Sequence, residues 1–494
     1  MLWLCLHLPN LPLEICSRAA PTDDLLVIGE GHGREQRILV VSEGARRLGV
    51  QPGMRVSAAY ALTPALRVKA RDVAAEEQAL ARLAAWSGRY TSCVSLVPPD
   101  ALLLEIEGSE RLYGSLDHLI ERVRRDLIDL GYTAHLALAP TALGAIWLAR
   151  IGREANITDH AALFSALAEL PIASLGLDPK REALLAGLGL KNLLDCLRLP
   201  RDGIARRAGP EILEALDRAF GRRPDPRPAF VPPPRFHASL ELPGPIATSQ
   251  ALLFPLHRLL LELSGFLEAR GAGAAALEFT LRSAKSVDTQ MSLKLVAPSR
   301  DVHHLSGLVR ERLERVVLPA PVEEVVLAVD ALQTLGAQPF DFFAGAQTPA
   351  EMRAQMVERL QARLGRESVQ GVVNCAEHRP ERAWRYCAPG INGESVTFGR
   401  RPFGPSAALR TGFAQDRPLW LLPEPMALEV RAGEPYWDGT LALEPERERI
   451  ESGWWDDGEI ARDYFIARDE KGRKFWVFRE LQMPERWFLH GIFG

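Results

Sequence analysis

The sequence predicts an α+β chain of several domains that ends in a small, mainly β one. Strand-like and helix-like hydrophobic periods alternate through roughly the first 165 residues. A Pro/Arg-rich stretch, GRRPDPRPAFVPPPRF, interrupts the pattern at residues 221–236. Seven of the ten tryptophans (Trp384, Trp420, Trp437, Trp454, Trp455, Trp476, Trp487) fall in the last segment, among short alternating strands such as KFWVFRE. At 494 residues the chain is too long for one core, so three or four domains are expected.

Residues 2–8 read as a buried strand, and ILVVSEGARRLGVQPGM as a strand passing into a helix that Gly49 and Gly53 end. AAEEQALARLAAWSGRYT is a long helix, and CVSLVPPD with ALLLEIEG are two strands around a Pro-Pro-Asp turn. DHLIERVRRDLIDLG is an amphipathic helix, HLALA a strand and TALGAIWLARIG a helix. From Pro171 to about Gly221 short helices alternate with Gly-containing turns. Beyond the Pro-rich connector, ATSQALLFPLHRLLLELSGFLEARG and HHLSGLVRERLERVVL are helices. ALEFTLRSA, QMSLKLVA and VEEVVLAVDAL are strands, which together make a βαβ-like module ending near Leu332.

Lys plus Arg total 59 against 63 Asp plus Glu, and a net charge of −4 excludes a chain-wide basic field, so any phosphate contact must be local. Six cysteines in so long a chain are too few for a disulfide framework and point to a reducing compartment, by default the cytoplasm. LWLCLHL followed by CSRAA imitates a secretory leader but lacks a basic start, and Pro9 and Pro12 break it. No stretch reaches the ~18 apolar residues of a membrane span.

The segment EGARRLGVQPGM followed by ALTPAL resembles the fingers of Y-family (translesion) DNA polymerases, and SLVPPDALLLEIEGSERLYG resembles their palm hairpin. The likeness covers residues 1 to about 335 and implies a right hand. Palm and fingers would take 1–165, with fingers about 11–77; a helical thumb 166–222; a Pro-rich linker 223–240; and a little finger 241–335. AEHRPERAW, RPLWLLPEP, RIESGWWDDG, RDYF and WFLHGIFG resemble the tail of the polymerase-like member of a bacterial mutagenesis cassette, which implies a partner-binding region over 347–494.

Polymerases of this family hold two divalent metals on carboxylates that converge from separate palm strands. At the first position the family has an Asp-x-Asp turn, whereas this chain has Leu6, His7, Leu8, Pro9 and Asn10, with no carboxylate before Glu14. At the second, Asp100 and Ala101 stand where the family has an acid pair. Strand alternation places Glu105 and Glu107 on one face further along. A lone carboxylate is a poor seat for magnesium, so no metal and no catalytic residue is expected. Arg46 matches the family's triphosphate-binding arginine, but Glu43 replaces the tyrosine before it and Thr141-Ala142 replaces a lysine. Asp100, Glu105 and Arg46 are thus expected to be a vestigial active site; for Asp100 plain turn chemistry is the competing reading, and for Arg46 a solvent-exposed helix position.

QPFDFF, residues 338–343 of a linker at 336–346, resembles the clamp-binding peptide of bacterial polymerases. Phe342 and Phe343 would anchor in an apolar pocket, Gln338 would set register, and Phe340 and Asp341 fill the spacer. The competing reading packs those phenylalanines against a domain. Cys375, His378 and Cys387 form an incomplete zinc pattern that His490 might complete only through folding. LGLDPKREALLAGLGLKNLL resembles a degraded helix-hairpin-helix. Trp454-Trp455 is either an interface anchor or core. With acids and bases nearly balanced in the 245–332 module, DNA binding should be weak.

The resemblance implies a non-catalytic adaptor in damage-induced translesion synthesis. Its implied partners are the sliding clamp, an error-prone DnaE-type polymerase and a RecA-like protein. A low-activity polymerase using Asp100, Glu105 or Glu14, and a lesion-binding module acting alone, are the alternatives.

Overall fold

A computed structural model of the chain describes residues 1–19, 25–283, 287–335, 349–389 and 417–493, apart from the single positions 376, 419, 457 and 483. Two compact units divide it, Met1–Gln347 and Thr348–Gly494.

The first unit is built on a five-stranded sheet in the order 94–97, 101–105, 3–7, 135–139, 155–156. Its central strand, Trp3–His7, is buried at every position, which explains its unbroken apolar run. Even-numbered residues Leu4 and Leu6 pack with Leu80, Leu83 and Trp86 of helix Val73–Ser87 and with Ile120, Val123 and Leu127 of helix Leu116–Leu130. Odd-numbered Trp3 and Cys5 pack with Ile146, Trp147 and the 160–219 helices on the other face. Gly131 ends helix Leu116–Leu130 with φ of 82°, a left-handed cap that suits glycine.

A separate three-stranded sheet, ordered 37–41, 26–30, 67–70, encloses its own small core of Val27, Ile38, Val41, Ala45, Val50 and Leu66. Helices Glu43–Arg47 and Val56–Leu62 lie beside it. Helices Pro179–Gly187, Leu193–Arg198, Arg201–Ala208 and Pro210–Ala219 follow as the periodicity predicts.

The connector then runs along the edge of the main sheet. Phe230 N donates to Val94 O (2.7 Å), and Ser95 Oγ donates to Pro228 O (2.6 Å). It ends sooner than the sequence reading expects, because Phe236–Ile246 is a strand whose alternating burial was hidden by Pro243 and Pro245. The βαβ-like expectation is therefore corrected to an antiparallel five-stranded sheet, ordered 289–299, 272–282, 322–329, 236–246 with the short strand 332–334 also paired to 272–282, accompanied by helices Leu253–Glu268 and Val302–Leu313.

Helix Leu253–Glu268 joins this module to the palm-like helices through a buried ion-pair group. Arg18 donates to Glu262 (2.9 Å), Arg82 Nε lies 2.9 Å from the same carboxylate, and Arg18 stacks over Tyr132 at 4.7 Å. Beside it Gly265 fits against the indole of Trp86, with no room for a side chain.

In the second unit, helix Pro349–Leu364 and a hairpin of 371–374 with 384–387 accompany a six-stranded antiparallel sheet. Its order is 434–436, 420–431, 487–492, 474–480, 460–468, 442–452. Phe475 and Val477 pack with Leu489 and Trp487, while Trp476 and Phe478 pack with Tyr464 and Ile466, so strand Lys474–Glu480 is buried on both faces. That double burial accounts for the concentration of aromatics in this sheet.

Gly265→Ala is expected to destabilise the chain by about 1–3 kcal/mol, despite the better helix propensity of alanine, because the buried indole has nowhere to go. Gly187→Ala, with open space at the same atom, is expected to be neutral or stabilising. Urea unfolding of both variants checks the pair, and equal effects would refute the packing argument.

Candidate functional site

The candidate site lies at the ends of the central palm strands. His7 pairs with Ala101 on one side and His135 on the other, and Leu8 N then donates to Asp100 O (2.8 Å). The first strand stops there because Pro9 and Asn10 turn it into helix Leu11–Ser17, with Pro12 in the first turn. The backbone thus delivers strand ends where a metal seat would be built, but the side chains differ. His7 Nε2 is 3.5 Å from one oxygen of Asp100, Arg150 is 3.5 Å from the other, and the His7 and His135 rings are 5.7 Å apart. Burial opposes ionisation of Asp100, yet the bond to His7 and the Arg150 charge hold its carboxyl below the usual range.

A hard divalent cation needs several oxygens free of competing cations. Here one carboxylate is already shared between an imidazole and a guanidinium. These residues do not fit a pair of magnesium ions. Among the described residues no group of three or more His, Cys, Asp or Glu stands close enough to hold a metal.

The remaining sequence candidates do not converge on Asp100. Glu105 sits at the other end of its strand, opposite Trp3, about 15 Å away at the usual rise per residue. Its Oε1 accepts the backbone N–H of Leu2 and of Glu107, so it ties down the strand start. The expected shared face of Glu105 and Glu107 is corrected, because the strand ends at Glu105 and Glu107 opens a 3₁₀ turn. Arg46 is exposed in the last turn of helix Glu43–Arg47, where Ser42 caps the helix and Glu43 pairs with Arg47 at 3.5 Å. Thr141 caps helix Ala142–Arg150 and donates to Ala219 O (2.7 Å), anchoring the helical 160–219 region instead of binding phosphate.

Glu14 is buried elsewhere, accepting the N–H of Thr133 (2.9 Å). Burial pushes its carboxyl up to about 7, against the opposing pull of Thr133, Arg18 and Arg258. Glu14, a substitute ligand in the low-activity polymerase reading, is thus held away from Asp100, and the Arg18–Glu262–Arg82 group escaped the sequence reading. One signal existed: Glu262 interrupts an otherwise apolar helix face in LLLELSGFLE.

In the helix-hairpin-helix-like segment, the amides a phosphate would need are taken by side chains. Asp178 accepts from Lys180 N and Arg181 N, and Asp195 accepts from Lys191 N and Asn192 N. Carboxylates at those positions oppose a phosphate.

The zinc pattern is not assembled. Gly371 pairs with Cys387 and Asn374 with Trp384, so Cys375 and Cys387 stand at opposite ends of the hairpin. His490 is buried against Tyr464, whose hydroxyl is 2.9 Å from its Nδ1. Trp454 and Trp455 are exposed (78% and 56%) and stack edge to face, so they are not core. Arg379, bonded to Glu377 and Asp456, holds the carboxyls of both at about 2 and lies over Trp455 at 5.7 Å. Gln338, Phe340, Asp341, Phe342 and Phe343 lie outside the described residues.

Residues 14–150 match the impB/mucB/samB family. Structural matches include DinB from Sulfolobus solfataricus, 17% identical, covering 67% of this chain and 98% of that one with a TM-score of 0.38. DNA polymerase IV of Shewanella denitrificans is 25% identical over 207 residues, 40% of this chain and 57% of that protein. The match to the impB/mucB/samB family lies wholly within the first unit. Over nearly its whole length the chain is similar to Protein ImuB of Caulobacter vibrioides, 29% identical over 472 residues, 90% of this chain and all of that protein.

Ionisation of Glu14 should make stability fall as pH rises. Its carboxyl ordinarily titrates near 4.5 and here near 7, so between those values the folded chain holds a proton that the unfolded chain releases. The resulting loss, on the order of 2–3 kcal/mol, should be complete above the folded value and absent below the unfolded one. Glu14→Gln keeps an acceptor for Thr133 and should flatten this slope in urea unfolding across pH 4 to 8, measured at about half-unit steps.

Proposed function

We propose that this chain is a non-catalytic, polymerase-like adaptor of translesion synthesis. The observation that carries the reading is the state of Asp100, the one carboxylate at the palm strand ends, which is enclosed by His7 and Arg150. Two-metal phosphoryl transfer needs oxygens that activate the primer hydroxyl and stabilise the leaving group together, and this arrangement offers neither ion a seat. Similarity to ImuB along 90% of the chain supports the same assignment.

In this role the QPFDFF segment docks on the DNA sliding clamp, with Phe342 and Phe343 as anchors and Gln338 fixing register. The adaptor recruits an error-prone DnaE-type polymerase and ImuA, the RecA-like partner, to damaged DNA. Its own DNA contact is weak, in keeping with the capped helix ends at Asp178 and Asp195 and a net charge of −4. Such a protein works in the cytoplasm. No helix among the described residues is long and apolar enough to cross a membrane.

Purified protein is expected to give no template-directed nucleotide incorporation with magnesium or manganese. Incorporation that disappears in Asp100→Ala would overturn the adaptor reading in favour of a slow polymerase. Replacing Gln338, Phe342 and Phe343 together by alanine is expected to weaken clamp binding at least 10-fold without moving the unfolding midpoint. DNA affinity that exceeds clamp affinity and ignores those changes would favour a lesion-binding module.

A further inference from the structure

Helix Pro349–Leu364 is amphipathic in the inverse sense. Met352, Met356, Leu360 and Leu364 recur every four residues and are 51%, 63%, 36% and 51% exposed. At about 100° per residue that spacing forms one slowly drifting stripe along the helix. The face covered by protein instead carries Ala354, Glu358, Gln361 and Ala362, all under a tenth exposed. A helix stabilised only by its own chain would bury the stripe, since each buried Leu or Met is worth about 1.5–3 kcal/mol. Exposed Arg353, Arg359 and Arg363 are interleaved with the stripe.

We propose that this face is a docking surface for a partner protein that offers an apolar groove edged by carboxylates. The four apolar side chains seat in the groove as an i, i+4, i+8, i+12 series, and methionine adapts to an irregular wall. The arginines meet acidic residues on the rim, which sets orientation and speeds encounter. A second copy of this chain is a poor occupant. With the apolar residues in register, a parallel pairing opposes each arginine to its equivalent, and an antiparallel one sets Arg353 against Arg363.

The assignment rests on the adaptor reading, and names the surface by which a partner protein of that chemistry is held. The test uses full-length protein, the double variant Met356→Asp/Leu360→Asp and the double variant Arg359→Glu/Arg363→Glu. Each is titrated with purified DnaE-type polymerase, RecA-like protein and sliding clamp from the same organism, with circular dichroism confirming the fold. The expected result is at least a 10-fold loss of affinity for the polymerase or the RecA-like protein in the first variant, with clamp affinity unchanged. The second variant should lose affinity for the same partner and show a flatter salt dependence.

Variants that bind both proteins within about 2-fold of the parent overturn the docking assignment and leave the adaptor reading standing. A parent that binds neither protein overturns both. A parent that sediments as a dimer, with monomeric variants, overturns the assignment in favour of self-association.

Discussion

The first unit depends on a carboxylate placed where water cannot reach it. Glu262 is fully buried in a helix that otherwise presents Leu256, Leu259, Leu260, Leu263 and Phe266 to the protein interior. Burial opposes its charge, yet the guanidiniums of Arg18 and Arg82 hold its carboxyl below the usual range. Removing Glu262 would strand the buried guanidinium of Arg18, a far larger cost than the net worth of the pair. The group therefore specifies geometry more than it adds stability. It fixes the face on which helix Leu253–Glu268 meets the palm, and Gly265 against Trp86 allows a close approach only there. With the helix so placed, the strand Phe236–Ile246 reaches the small fingers-like sheet, where Lys69 pairs with Glu241 (2.6 Å) and Arg67 donates to Pro243 O (2.6 Å).

The same electrostatics, at the other end of the palm strands, disposes of the metal site. Asp100 is less buried than Glu262, and its neighbours are one guanidinium and an imidazole in place of two guanidiniums. In both places a carboxylate's field is spent on side chains of its own chain. A magnesium ion entering near Asp100 would have to displace Arg150 from a charge-assisted contact and would gain only one protein oxygen pair. The thumb-like helices follow suit, since Asp178 and Asp195 occupy the amides that a DNA phosphate would need. Sites that would hold phosphate or its metal are closed internally, while the architecture that displays them is kept.

The sequence revealed local structure well and long-range charge poorly. The first strand, the Pro-Pro-Asp hairpin and helix Leu116–Leu130 follow from periodicity and turn residues that act within a few positions. Strand Phe236–Ile246 was absorbed into the connector because its prolines resemble the linker that precedes it, although Phe236, Ala238, Leu240 and Leu242 alternate inward. The shared face of Glu105 and Glu107 fails because strand alternation does not extend the two residues past the strand end at Glu105. The loss of metal-binding acids was legible as missing residues. What stands in their place was not, since His135 reaches His7 through sheet order and Arg150 reaches Asp100 through the packing of helix Ala142–Arg150. Arg18 and Glu262, 244 positions apart, are beyond any local pattern.

The second unit leaves several large apolar side chains exposed. Its sheet takes Trp476, Tyr464, Phe475 and Phe478 fully inside. Trp454, Trp455 and the Met352 to Leu364 stripe are left out of that core in the same unit. Single exposed apolar residues are ordinary, but four at helical spacing on one helix and two tryptophans on a turn braced through Arg379 and Asp456 are arranged. The bracing matters because an anchor that is already ordered loses less entropy on binding. The second unit thus carries apolar surface that is already ordered, in Trp454 and Trp455 above all.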